Sequence, residues 1–265
     1  MKIDLGISYV PAPIPASDGT GFARHGIKHL SASSLNTWTN APDVWVARYL
    51  HGHRGTFGPA PRRGQVVEDA VVATLQGADM IKATENCIDA FNEEFPTGDD
   101  AAKERSMIPD MVRIAVDELR QYGKPEFIGD GQDKINITAR FDGWSIPIIG
   151  FLDLVFPDYG LVIDLKTTTR IPPVMSAEHQ LQRAIYQSAR GNQAVKFLYV
   201  SARKSAILED GDPATVLAKA KLQIARLERF LSAVDADTAL SIVPHNPNSF
   251  YWRGDEAARS RLFGT

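Results

Sequence analysis

The chain has 265 residues, 44% of them hydrophobic and 23% charged, with 29 Lys and Arg against 32 Asp and Glu. That length can bury a sizeable core, and the composition excludes a collagenous, coiled-coil or wholly disordered chain. A net charge of -3 excludes a protein held on polyanions by bulk positive charge, and a single cysteine, Cys87, excludes an internal disulfide framework or a multi-thiolate metal site.

Residues 1–29 carry Pro11-Ala-Pro-Ile-Pro15 and a Gly/Ser stretch, which predict an extended arm or surface loop. Met1 to Val10 has no signal-peptide pattern and no apolar run is long enough to span a membrane, so a soluble, cytoplasmic protein is expected. Residues 30–265 read as one domain. Ser31 or Ser33 can cap a helix through Trp38, and Pro42 opens a second. A basic loop follows from His51 to Arg63, then a helix from about Gly64 to Gln76. A short helix-compatible stretch, Ile88 to Phe95, and a broadly helical one, Ala101 to Tyr122, form a helical insertion around 80–123.

From Pro125 the hydrophobic period changes. Lys134 to Phe141 alternates polar and apolar residues, the pattern of a half-buried strand. Ile146 to Phe156 and Leu161 to Thr168 are denser apolar runs around the turn Pro157-Asp-Tyr-Gly160, which predicts a central hairpin. Then come a helix from Ala177 to Arg190, strands at Val195 to Ser201 and Ser205 to Glu209, and a helix from Pro213 to about Val234. The tail Pro244 to Thr265 stays unassigned. The sum is an α/β or α+β domain with helical additions.

The chemistry concentrates on the hairpin. Side chains alternate along a strand, so Asp164 and Lys166 share one face while Ile163 and Leu165 share the other. Asp153 stands in an otherwise apolar strand. Two carboxylates among buried strands are costly unless paired, hydrogen-bonded or bound to a cation, and hard oxygen donors suit Mg²⁺ or Mn²⁺. The competing reading is a structural ion pair with Lys166, which leaves two acids for one lysine. Glu68 shares a helix face with Val71, Val72 and Leu75, which would turn it inward; an inner stripe of Val67, Ala70 and Thr74 would leave it on the flank. Gln182 and Tyr186, four apart on one helix face, can hold a phosphate or position a water, although the pair taken alone reads first as polar groups on the solvent flank of an amphipathic helix; His179 and Gln180 carry a weaker signal.

Gly64…Glu68, Gly150-Phe-Leu-Asp153, Asp164-Leu-Lys166 and Gln182…Tyr186 together resemble the PD-(D/E)XK nuclease superfamily, in its RecB-like and phage lambda-exonuclease-like branch. Leu30-Ser-Ala-Ser-Ser-Leu-Asn36, with Ala41-Pro42, is similar to the helical entry segment of RecB-type nuclease domains. The resemblance implies a restriction-endonuclease-like central mixed sheet flanked by helices and Mg²⁺-dependent hydrolysis of DNA, with Mn²⁺ as a substitute. It makes Asp153, Asp164, Glu68 and the Leu165 carbonyl metal ligands, Lys166 the catalytic lysine, and Gln182 and Tyr186 contacts near the scissile strand. Cluster-bearing relatives place a cysteine where Ala41 stands, so no iron–sulfur cluster is expected. Arg54, Arg62 and Arg63, just before Glu68, are expected to meet DNA phosphates. The groups Arg24, His25, Lys28, His29 and Arg253, Arg259, Arg261 read as solvated loops.

The function these features imply is a free-standing, phage-type exonuclease that resects linear duplex DNA in recombination or repair. A recombinase or single-strand annealing protein is a conceivable partner, as is a second copy of the chain. An endonuclease of the same fold and a non-catalytic nucleic-acid-binding module remain as alternatives.

Overall fold

A computed structural model describes residues 20–126, 135–191 and 193–264. Residues 1–19, Lys134 and Asn192 therefore lie outside the described residues, and with them most of the expected arm. Residues 20–29 are not a loose arm. Thr20 caps a one-turn helix, α1 (Gly21–Arg24), and Phe22 is buried in the core. Two residues pair as β1 (Leu30–Ser31), and Ser31 then caps α2 (Ala32–Asn40) through a reciprocal capping box with Ser34. Pro42 opens α3 (Pro42–Tyr49) as its first residue.

The expected basic loop ends early. Gly58 is extended and Pro59 stands in the first turn, so α4 (Pro59–Gln76) already includes Arg62 and Arg63. The region read as an insertion forms two full helices, α5 (Met80–Glu94), capped by Asp79, and α6 (Asp99–Leu119).

The strands are β2 (Ile135–Ala139), β3 (Ile148–Leu152), β4 (Leu154–Phe156) and β5 (Leu161–Thr167). After them come α7 (Ala177–Ala189), β6 (Ala194–Val200), β7 (Ser205–Leu208), α8 (Pro213–Ala233), α9 (Ala236–Ile242) and α10 (Glu256–Phe263).

Among the described residues the strands form two mixed sheets, β1-β3-β2 and β4-β5-β6-β7. The first strand of the expected hairpin is cut at Asp153, its N-terminal part pairing with β1 and β2 and its C-terminal part with β5. The hairpin itself stands as β4–β5, closed by a short turn in which Gly160 takes a left-handed φ of 55°.

The four-stranded sheet has a core on each side. Leu154, Phe156, Ile163, Leu165, Leu198 and Val200 pack under α4, α5 and α6. Val155, Val162, Val195 and Phe197 pack under α7 and α8. The helices at 80–119 are thus the cover of one sheet face rather than an appendage. Without them that apolar face would meet water at about 25 cal/mol per Å².

The C-terminal tail is tied down by one buried acid. Asp43 accepts hydrogen bonds from His245 Nδ1 (2.8 Å), the Trp252 indole (2.9 Å) and the Asn246 amide (3.1 Å). A carboxylate this enclosed needs such donors, and they fasten residues 245–252 to the start of α3. The basic groups of the two ends are likewise engaged: Arg24 bonds the Ser232 carbonyl and Arg259 the Pro247 carbonyl.

Candidate active site

The site begins with a slip in strand alternation. Ile148 and Leu152 belong to the core under α7 and α8, and so does Val155, whereas Leu154 and Phe156 lie in the other core. Strict alternation backwards from Val155 would have sent Leu152 to the far side. The chain instead bends at Asp153, which stands between the two sheets. Such one-residue irregularities re-aim a side chain. Continuing the pairing Val155↔Val162, Leu154↔Ile163 by one step sets Asp153 opposite Asp164. The Asp153 carboxylate accepts the Leu165 amide at 3.0 Å, in place of a strand carbonyl.

On β5 the expected alternation holds. Ile163 and Leu165 enter the core under α4 to α6, and Asp164 and Lys166 face α7. Asp164 is 1% exposed and forms an ion pair with Lys166. Its other oxygen accepts from the Gln182 amide at 2.7 Å, and the same amide reaches the Tyr186 hydroxyl at 3.1 Å. Burial disfavours the Lys166 ammonium, yet Asp164 and Asp153 beside it outweigh that and raise its pKa above the ordinary value. Burial, reinforced by Asp164, pushes the Tyr186 phenol up to about 12. At neutral pH the lysine is charged and the phenol protonated.

Gly150 makes this packing possible. A Cβ there would lie 2.5 Å from Tyr186 Cε1, so only glycine lets the ring cross β3. Gly64 has a similar role on the other side, where a Cβ would meet Thr167 Oγ1 at 3.3 Å and α4 closes on the end of β5.

The remaining expected residues divide. Glu68 lies one turn beyond Gly64 on α4 and is half-buried. No group of three His, Cys, Asp or Glu placed to hold a metal occurs among the described residues. Arg63, read as a phosphate contact in a loop, is 4% exposed, ion-paired with Glu104 of α6 and bonded to Thr167 Oγ1 at 3.2 Å. It fastens α4 to α6 and β5. Arg62 pairs with Glu94 at 2.9 Å, and Arg54 is exposed.

The donors fit a hard divalent cation. Asp164 is too enclosed to stay ionised without a counter-charge, which Lys166 provides and a cation between Asp153 and Asp164 would equally provide.

Beyond the expected set, the register Lys166↔Tyr199 brings β6 beside the lysine, and Tyr199 is hydrogen-bonded to His179 Nδ1. Tyr199 is inconspicuous in the sequence because it stands in an apolar strand. Only the parallel pairing across α7 brings it to Lys166.

Residues 29–249 match the family model of the PD-(D/E)XK nuclease superfamily. No curated protein matches the chain. The crystal structure of SSO0001 is similar over 61% of this chain and 75% of that one, at 14% identity and a TM-score of 0.31. No helix of the described residues is long and apolar enough to cross a membrane.

Proposed function

The chain belongs to the PD-(D/E)XK nuclease superfamily, and from that membership we propose a Mg²⁺-dependent deoxyribonuclease of the RecB-like and lambda-exonuclease-like branch, acting as an exonuclease on linear duplex DNA. The observation that carries the reading is the arrangement on β5: a buried Asp164 beside Lys166, held by Gln182, with Asp153 opposite.

In this reading Asp153, Asp164 and the Leu165 carbonyl hold the metal, and Glu68 adds a further carboxylate. Bound Mg²⁺ supplies Lewis-acid polarisation of the phosphoryl oxygen and a more acidic water. Lys166, charged and partly open to solvent, orients the attacking water and neutralises charge developing on the phosphate. Gln182 holds the Asp164 carboxylate in place, and the protonated Tyr186 hydroxyl donates towards the substrate strand. Arg54 and Arg62 contact DNA phosphates, and the buried Arg63 acts by positioning the start of α4. Mn²⁺ substitutes for Mg²⁺.

The test is digestion of linear and circular duplex DNA with Mg²⁺. Degradation of linear DNA alone is expected, with Lys166→Ala slower by on the order of 10²-fold or more and still able to bind DNA. Cleavage of circles would make the enzyme an endonuclease. Undiminished cleavage by Lys166→Ala would show that the reaction runs elsewhere.

A further inference from the structure

A cavity of about 280 Å³ opens beside Lys166, between the end of β5, residues 168–176 and the first turn of α7. Lys166, Thr168, Arg170, Ser176, His179 and Tyr199 line it, and none of its lining side chains is acidic. This is notable in a chain with more acids than bases, and beside two carboxylates. The Thr168 hydroxyl donates to the Arg170 carbonyl at 2.9 Å and accepts from the Arg170 amide at 3.3 Å. That local turn sets Arg170 at the cavity with its side chain exposed, and Arg170 enters no ion pair among the described residues. His179 is pushed down to about 4 by burial, and further by Lys166, so at neutral pH it adds a hydrogen-bonding group and no charge.

We propose that this cavity is an oxyanion subsite for the internal DNA phosphate next to the one cleaved. Arg170 is its charged contact, held at the cavity by the Thr168 turn. The His179–Tyr199 pair is a positioning element that forms its wall. A phosphodiester fits because it is a diffuse monoanion: a planar guanidinium can meet two of its oxygens, and no acid in the lining repels it. Lys166, shared between cavity and carboxylates, joins this phosphate to the reacting one. The inference rests on the nuclease reading.

The experiment measures affinity for a short end-labelled duplex by fluorescence anisotropy without divalent cation, across a KCl series, for the full chain and Arg170→Gln. Each phosphate contact to duplex DNA contributes about 0.9 to the slope of log K against log salt. Arg170→Gln is expected to bind several-fold more weakly, with the slope reduced by about 0.9 on 5′-phosphorylated and 5′-hydroxyl duplexes alike. Tyr199→Phe is expected to raise KM for cleavage more than it lowers kcat. An unchanged slope in Arg170→Gln, while the parent chain binds and cleaves DNA, would overturn the subsite and leave the nuclease reading standing. A slope change confined to phosphorylated ends would overturn the internal phosphate as ligand. A parent chain that neither binds nor cleaves DNA would overturn both.

Discussion

At the scale of single residues, the site depends on groups whose charge state is decided by what surrounds them. Asp164, enclosed as it is, has the Lys166 ammonium on one oxygen and the Gln182 amide on the other. His179 is the opposite case. Burial first, then Lys166 of β5, disfavours its charged form; Tyr199 of β6 bonds it, Phe197 packs at a ring distance of 5.5 Å, and Glu178 offsets only part of this. Its folded pKa, about 4, lies below the ordinary histidine value of 6.5. The unfolded chain therefore binds the proton more readily, and the stability this residue contributes is present above about 6.5 and lost as pH falls towards about 4. Urea midpoints across that window should fall with pH in the parent chain and flatten in His179→Phe. Gly150→Ala tests the packing directly, since its methyl group would strike the Tyr186 ring. A displaced Tyr186–Gln182 pair should slow cleavage by on the order of 10²-fold at saturating DNA. An unaffected rate would mean that Tyr186 has no part in the reaction.

At the scale of elements, Arg63 and Glu104 tie α4 to α6, and Thr167 ties both to the end of β5. Removing one partner strands a charge in the core. Arg63→Ala should therefore cost about 3–5 kcal/mol in urea denaturation. Replacing both partners, Arg63→Met with Glu104→Leu, should restore most of that loss, because the pair earns little once its desolvation is counted. Recovery of stability without recovery of cleavage in the double variant would show that the pair positions α4, and Glu68 on it, for the reaction. The break at Asp153 is the second device at this scale. An uninterrupted strand would have kept one sheet and turned Leu152 away from the α7 side. The break lets Asp153 turn its carboxylate to the Leu165 amide of β5.

At the scale of the whole molecule, the two cores enclose the four-stranded sheet from both sides, and the acids sit at the seam between the sheets. A cation that binds the native carboxylates and not the unfolded chain stabilises by mass action, about 2.7 kcal/mol at a hundred times its Kd. The Tm should therefore rise with MgCl₂ in the parent chain, and the rise should disappear in Asp153→Asn. An equal rise in the variant would place metal binding elsewhere. The excess of acid over base does not oppose DNA at this place, since the cavity beside Lys166 is lined without acids.

The sequence by itself determined the elements and the face-sharing of their residues. Apolar periodicity marked β5 and α7, Pro42 and Pro213 marked helix starts, and Asp164 with Lys166, and Gln182 with Tyr186, shared faces because strand and helix periods are local properties. Local patterns also carried the family resemblance, which depends on residue types at short spacings. Tertiary structure alone decided the rest. It cut one expected strand into β3 and β4, took Arg63 from a loop into the core and made the 80–119 helices a cover for the sheet. It also set Tyr199 beside Lys166. Each of these depends on a partner distant in the chain: Glu104 is 41 residues from Arg63, and Leu165 is 12 from Asp153. Periodicity shows that a side chain turns inward, but which group meets it there is settled only when the sheets and helices pack.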